Sequence, residues 1–397
     1  MLNNTKKLEL TFNSKISGID EAEWSSLLSS SDSPFISYRF LKLLEDTGCV
    51  GQDTGWEPLH ATLREADSQK LIGAIPLYIK HHSYGEYVFD WGWAQAYQEH
   101  GLNYYPKLLC AIPFTPASCR KILCLNEDLP RVGSIFLDQF KDLCSSREIS
   151  SIHALFLNKE EQEAFSQASF ANRVDNQFHW HNNGYQNFND FLNAFTSKKR
   201  KNIRQERRRI EEQNLTFQWL IGDEASEDDW RQMYQMYLRT IGDHGGMPYL
   251  KEDFFLQLPA YLGSQVMLLQ GKQDQNLVCS ALYFASSSTL YGRYWGSTRF
   301  FSNMHFEACY YQPIEFAIKQ GLTTFEAGAQ GIHKLSRGLT PTPTYSAHWL
   351  AHEGFNDAVQ QFLSKERTAQ ERFTAHLDQS IPFRKNTLTF DDADSAK

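Results

Sequence analysis

The 397-residue chain has no run of about 18 apolar residues, the length a helix needs to cross a bilayer, so stable membrane insertion is not expected. Its opening, MLNNTKKLELTF, lacks the apolar stretch and small-residue cleavage site of a secretory signal, and the sequence reads as cytoplasmic. The seven cysteines are odd in number and none sits in a C-x-x-C pair, which excludes a zinc ribbon or disulfide scaffold and predicts reduced, mostly buried thiols. No H-E-x-x-H occurs. His305-Phe-Glu307 and the pair His348 and His352 bring ligand types together without the glutamate that motif requires, so no metal is expected. A net charge of −8 excludes a broadly basic coat for nucleic acid and leaves room for one local basic site. What is present is core material: 41% hydrophobic and 14% aromatic residues, enough for about two domains.

One basic site does exist. Lys198–Arg209, KKRKNIRQERRR, carries eight cations in twelve residues with Glu206 the sole acid. With Ser197 as N-cap it reads as a helix burying Ile203 and Ile210 at i, i+7, with Arg200, Arg204, Arg207 and Arg208 on one face. Such a face is either solvated or an anion site; Arg200 and Arg204 are the candidate phosphate ligands, since guanidinium groups bind phosphate bidentately. No aromatic residues interleave with the cations, which disfavours a single-strand nucleic-acid platform.

Tyr291–Arg337 is the densest stretch of histidine, arginine, tyrosine and acid. Its pattern gives a strand ending at Tyr-Trp-Gly, a polar loop, a helix over about 305–320, and a strand around Phe325 stopping at Gly328. Polar groups then gather at strand ends and a helix N-terminus, where clefts form. Residues 59–93 and 265–296 each read as three strands, with turns at 65–70 and 81–85 in one and at 271–276 and 286–288 in the other. Trp91-Gly92 answers Trp295-Gly296, and Tyr104-Tyr105 answers Tyr310-Tyr311, about 205 residues apart, which predicts two copies of one domain. Paired helices precede each meander, at 21–30 and 37–46 and at 227–240 and 251–260. The pattern breaks near 172–183, dividing the chain into 1–175 and 176–397.

Several segments resemble the FemAB-like predicted N-acyltransferases of the peptidoglycan biosynthesis or recognition type. They are PFTP at Pro113–Pro116, Ser197–Arg208, HGGMPYL at His244–Leu250, LYGRYWG at Leu290–Gly296, HFEACYYQ at His305–Gln312 and GAQGIHKLSRG at Gly328–Gly338. The resemblance implies an α/β fold of tandem GNAT-like domains, with mixed central sheets flanked by helices, and acyl or aminoacyl transfer to an amine acceptor, a small molecule or cell-wall precursor. The second domain would be catalytic. The first, with HGLNYYP at His100–Pro106 in place of HFEACYY, lacks the glutamate and would be degenerate.

Amide formation needs a base for the amine proton, donors for the oxyanion and an acid for the leaving group. Glu307 and Glu326 are the candidate bases, or alternatively an acid at a helix start and a buried glutamate paired with Arg293 or Arg337. His305 and His333 are candidate proton relays. Tyr311, with Tyr310 and Tyr294, is the candidate acid by GNAT resemblance, against aromatic packing. Arg293, Lys334 and Arg337 would form a cationic wall, with Tyr294 beside it, and Asp243 and His244 lie on a loop placed to cover the acceptor. Cys309, among aromatics, reads as an inert thiol. Acyl-CoA is the expected donor in a GNAT fold, but Gly296–Met304 lacks the paired glycines of a pyrophosphate loop. The alternative donor is aminoacyl-tRNA, for which the basic helix would serve. A non-catalytic protein binding a phosphorylated precursor or RNA through that helix is the other reading. Convergence of Glu307, Glu326 and His333 on one cleft would favour the enzyme; their pointing into separate packed regions would favour the binding reading.

Overall fold

A computed structural model describes residues 7–328, 331–378 and 381–384. The N-terminal half runs β1 (Leu8–Asn13), α1 (Glu21–Ser26), α2 (Tyr38–Asp46), β2 (Trp56–Pro58), β3 (His60–Glu65), β4 (Leu71–Ile75), β5 (Leu77–Lys80), α3 (Trp91–Glu99), β6 (Lys107–Cys110), α4 (Leu129–Arg147), β7 (Ser151–Leu157), α5 (Lys159–Gln167) and β8 (Ala171–His181). There follow α6 (Phe188–Ala194), α7 (Ser197–Glu212), β9 (Leu215–Ile221), α8 (Glu227–Asp243), α9 (Glu252–Leu262), β10 (Val266–Gln273), β11 (Asn276–Ala285) and β12 (Thr289–Ser297). The chain continues through α10 (Met304–Phe306), a π turn (Glu307–Tyr311), α11 (Gln312–Lys319), β13 (Thr324–Glu326), β14 (Thr340–Leu350) and α12 (Glu353–Asp378). Local chemistry sets several starts: Asp20, Ser37 and Ser226 cap α1, α2 and α8 by accepting backbone N–H groups. In α7 the cap lies one residue earlier than expected. Ser197 is the first helical residue, Thr196 holds the N-cap position without a side-chain bond, and Ile203 and Ile210 are buried.

Among the described residues, eleven strands form one sheet in the order β2-β5-β6-β7-β14-β8-β13-β12-β11-β10-β9, and β1, β3 and β4 form a smaller one. The parallel pairs β6–β7 and β12–β13 mark the same place in each half. Each half then gives its next strand to the other. β8 pairs with β13, β14 pairs with β7, and the two exchanged strands pair with each other from Thr340↔His179 to His348↔Ala171. Residues 172–183, expected as a break, are mostly β8, which carries the chain across this seam. The fold is tandem GNAT-like, with mixed sheet and flanking helices.

The expected register between the copies is corrected. Trp91-Gly92 opens a helix, whereas Trp295-Gly296 lies within β12, and the strand answering β12 is β6. Tyr104-Tyr105 accordingly precedes β6, while Tyr310-Tyr311 lies in the π turn after β12, so HGLNYYP is not the counterpart of HFEACYY. The physical reason is a buried cation. Lys107 Nζ donates to Glu86 (2.8 Å), Ser83 (2.8 Å) and Asp90, all four side chains being buried. Drawing Glu86 and Asp90 to one point stops residues 83–90 from alternating as a strand. Burial pushes Glu86 up to about 7 despite Lys107; burial is also the largest single influence on Asp90, but there Lys107, His153 and Ser83 together outweigh it and hold the carboxyl at about 2. Tyr104 donates to Asp90 (2.7 Å) and meets His153 (3.0 Å), whose Nδ1 meets His348 Nδ1 (2.8 Å), so the network reaches β14.

Lys107→Met leaves buried Asp90 without its cation and Glu86 with only the more distant Lys80 (3.9 Å), and destabilisation of about 3–5 kcal/mol is expected in chemical denaturation. Adding Glu86→Gln and Asp90→Asn recovers most of it; equal loss in the triple variant would contradict this account.

Candidate active site

β12 and β13 pair only at Thr289↔Thr324, Leu290↔Phe325 and Tyr291↔Glu326. Beyond Tyr291 β12 runs on to Ser297 while the other chain turns away at Gly328, whose φ is +82°. Lys334 Nζ holds that turn by donating to the Gly328 carbonyl (2.7 Å). A cavity of about 300 Å³ opens in the gap. Its walls are Gly292–Trp295, then Phe325, Ala327 and Gly328, with Tyr237, Thr240 and Ile241 of α8, Ala281 and Tyr283 of β11, and His305, Cys309, Tyr310, His333 and Lys334. Among the described residues no strand pairs with this stretch of the β12 edge, which leaves backbone N–H groups available to a carbonyl oxygen. α8 lies close: a Cβ on Gly296 would stand 2.4 Å from the Met236 carbonyl.

The polar side chains reach this cavity because the helix after β12 is not regular. Pro313 has no N–H to give Cys309, the Gln312 N–H bonds to the Glu307 carbonyl, and Tyr283 donates to the freed Ala308 carbonyl (2.5 Å). The resulting π turn delivers Tyr310 to the cavity, where its hydroxyl meets His333 Nε2 at 2.9 Å. Tyr310 is buried and His333 exposed, so the pair links the interior to solvent. Burial raises the Tyr310 hydroxyl and lowers both histidines, His305 to about 4, with the cations Arg337 and Lys334 adding to the histidine shifts. Burial also lowers Lys334 to about 8 and raises the Cys309 thiol, which is thereby kept from the thiolate form.

Of the residues expected from sequence, His305, His333, Arg293, Tyr294 and Lys334 line the cavity. Arg293 also donates to the Phe114 carbonyl, as does Tyr294 at 3.4 Å, and the Phe114 ring stacks on Tyr249 at 5.0 Å. PFTP, HGGMPYL and LYGRYWG therefore meet at one wall. Glu307, Glu326 and His333 do not converge, an outcome that taken alone favours the binding reading over the two glutamates as catalytic bases. Glu307 is buried against Arg207 (2.9 Å) and Gln312 (2.8 Å), with burial raising its carboxyl despite the arginine. Phe325 and Ala327 line the cavity, so strand alternation sends Glu326 to the opposite face, where burial raises it to about 8 and Arg293 and Lys121 offset only part. Tyr311 donates to Glu206, which also accepts from Arg337 (3.2 Å), and the Arg337 guanidinium lies 3.4 Å from the Phe306 ring centroid. Arg337 thus stands behind the cavity wall and not in it. Arg200 bonds Asn193 (3.2 Å), Arg204 is exposed, and Arg207 is spent on Glu307 and Glu315 (2.8 Å), so the expected cationic face loses Arg207. Asp243 ends α8 and His244 follows it, both exposed, two and three residues beyond Ile241 of the cavity wall. Ala329 and Gln330 of the glycine-rich turn lie outside the described residues.

Sequence reasoning passed over Tyr237, Thr240 and Ile241, whose helical i, i+3, i+4 spacing reads as ordinary core, and it named Tyr310 only as a companion of Tyr311. It noted Glu206 without a role; a lone acid inside a basic run was the available signal. Among the described residues, no group of three or more His, Cys, Asp or Glu could hold a metal ion, and no helix is long and apolar enough to cross a membrane.

Arg207→Met strands the buried Glu307 carboxylate and is expected to cost about 3–5 kcal/mol in denaturant unfolding. Arg207→Met with Glu307→Gln should cost much less; additive losses would mean the pair is not coupled.

No curated protein matches the sequence. In structure the chain is similar to FemX (10% identity, 86% of this chain and 98% of that chain covered, TM-score 0.54). It is also similar to the C-terminal domain of a putative lysylphosphatidylglycerol synthetase from Agrobacterium fabrum (11%, 87% and 96%, TM-score 0.53). A conserved protein of unknown function from Bacteroides thetaiotaomicron VPI-5482 aligns with 9% identity over 86% and 99% (TM-score 0.50). At such identities these likenesses speak for the fold. The family model described as peptidoglycan biosynthesis/recognition matches residues 15–385, and the chain belongs to this FemAB-like family.

Proposed function

We propose that the protein is an N-acyltransferase that moves an acyl or aminoacyl group onto an amine acceptor, on a small molecule or cell-wall precursor, in the cavity between β12 and β13. The observation that carries this reading is the Tyr310–His333 pair facing an unpaired β12 edge inside that cavity. Family membership and the tandem GNAT-like fold support it. The donor carbonyl lies against the β12 amides. The neutral amine attacks, a C–N bond forms, and the C–O or C–S bond to the carrier breaks. His333, kept neutral, accepts the amine proton; the Tyr310 hydroxyl, held protonated by burial, gives a proton to the departing oxygen or sulfur and is reprotonated by His333 across their 2.9 Å hydrogen bond. Lys334 and Arg293 set a positive field at the developing oxyanion. His305 packs edge-on to Tyr310 (ring centroids 5.6 Å apart) and shapes the wall.

The N-terminal half acts as a non-catalytic partner. Beside its corresponding β6–β7 pair, Lys107, Tyr104, His153 and Trp93 are packed together. For the donor, the segment after β12 lacks the paired glycines that would cradle a coenzyme A pyrophosphate, and this favours an aminoacyl ester of tRNA over acyl-CoA. Either donor places the reaction in the cytoplasm, where both are made.

Purified protein is assayed for transfer to amine acceptors from aminoacyl-tRNA and from acyl-CoA. His333→Gln and Tyr310→Phe should each lower kcat by about 10²–10⁴-fold. The His333 pKa is depressed below 6.5 and only its neutral form works, so kcat/KM should rise with pH below 6.5 and level off. It should fall again near 8 as Lys334 loses its proton. The acid limb should vanish in His333→Gln and the alkaline limb in Lys334→Arg. Ligand binding without turnover of either donor would instead favour a recognition protein.

A further inference from the structure

The cations of α7 are divided by the helix. Ile203 and Ile210 face the core and Arg207 is spent on Glu307 and Glu315, whereas Lys198, Lys201, Arg204, Arg208 and Arg209 are exposed. Advancing 100° per residue, these five fall on the face opposite the two isoleucines. Arg208 pairs with Glu212 at 3.2 Å; Lys198, Lys201, Arg204 and Arg209 form no ion pair among the described residues. On a chain of net charge −8, this is a concentrated positive surface.

A second feature adjoins it. Phe300 is 93% exposed, the most exposed of the large hydrophobic residues described. It sits between exposed Arg299 and partly buried Phe301, in a loop fixed to the end of α7: Gln213 Nε2 donates to the Ser302 carbonyl (3.1 Å) and the Ser302 N–H donates to Gln213 Oε1 (3.2 Å). Arg239 Nη1 holds the other side of the loop through the Thr298 carbonyl (3.0 Å). A phenylalanine held out in water beside arginines suits a surface that is anionic outside and apolar just beneath.

We propose that α7 and the Thr298–Asn303 loop dock the protein onto an anionic lipid bilayer, with the α7 cations and Arg299 at the phosphate level and Phe300 in the acyl boundary. Clustered Lys and Arg bind such surfaces additively, and an aromatic anchor adds apolar burial. A single-stranded nucleic acid is less well matched, because no aromatic residues lie among the α7 cations themselves to stack on bases. The loop follows β12 directly, so docking brings the cavity close to groups displayed at the lipid surface. The docking does not depend on the transfer chemistry.

The full chain is tested by flotation with vesicles of phosphatidylglycerol and phosphatidylcholine, and with phosphatidylcholine alone, at about 0.1 M and about 0.5 M salt. Binding is expected to the anionic vesicles only, and to weaken at high salt. Lys201→Glu with Arg204→Glu should reduce it more than about tenfold, and Phe300→Ser about threefold or more, without changing the thermal melting temperature. Lys198→Gln with Arg209→Gln, which adds no acid, should give an intermediate loss. The proposal is overturned if anionic and neutral vesicles bind alike, if neither binds, or if total tRNA binds through the same cations while Phe300→Ser changes nothing on vesicles.

Discussion

The C-terminal site depends on the shortness of one strand. β13 has residues for three pairing positions against a nine-residue β12, and among the described residues no strand pairs with β12 on that side past Tyr291. Were β13 two residues longer, its backbone would close that edge and the cavity would become ordinary sheet. The Lys334 bond to the Gly328 carbonyl resists this by holding the chain in its turn. Because β8 pairs with the other edge of β13, the short strand cannot slide, and Phe325 and Ala327 stay on the cavity side while Glu326 stays on the other.

Charge in this molecule is placed by what faces it. The inward side of α7 gives Glu206 to Tyr311 and Arg337, and Arg207 to Glu307 and Glu315, so a helix that looks uniformly basic is a polar clamp on one side and a cation row on the other. The clamp sets the helix that carries Tyr310. In the N-terminal half, Lys107 does the comparable work for residues 83–90 by drawing two acids into the core.

The architecture was legible from repetition and from composite motifs, because a duplicated fold repeats its hydrophobic periods. The helices at 21, 37, 227 and 251 were readable for the same reason, since each shows an apolar stripe beside a start signal. The correspondence between copies was misread at Trp91, where Lys107, sixteen residues later, decides the local path; a window of neighbouring residues cannot contain that information. Of the polar residues crowded at 291–337, His305, His333, Arg293, Tyr294 and Lys334 line the cavity. Glu307 and Glu326 drew attention because acids in apolar surroundings suggest chemistry. Their partners, Arg207 a hundred residues away and the Ser118–Lys121 segment across the half boundary, appear only in three dimensions.

The exchange of β8 and β14 bears on how the chain must be made. A ribosome releases β7 and β8 long before β13 and β14, so the first half emerges with two strand edges whose partners have not yet been synthesised. Those edges must stay unpaired, or pair provisionally with each other, until β13 and β14 are out. β14 is thus the keystone of the sheet, and the pairings that join the halves link residues far apart in sequence, from Thr324↔His181 to Leu350↔Ser151, a topology that makes folding slow.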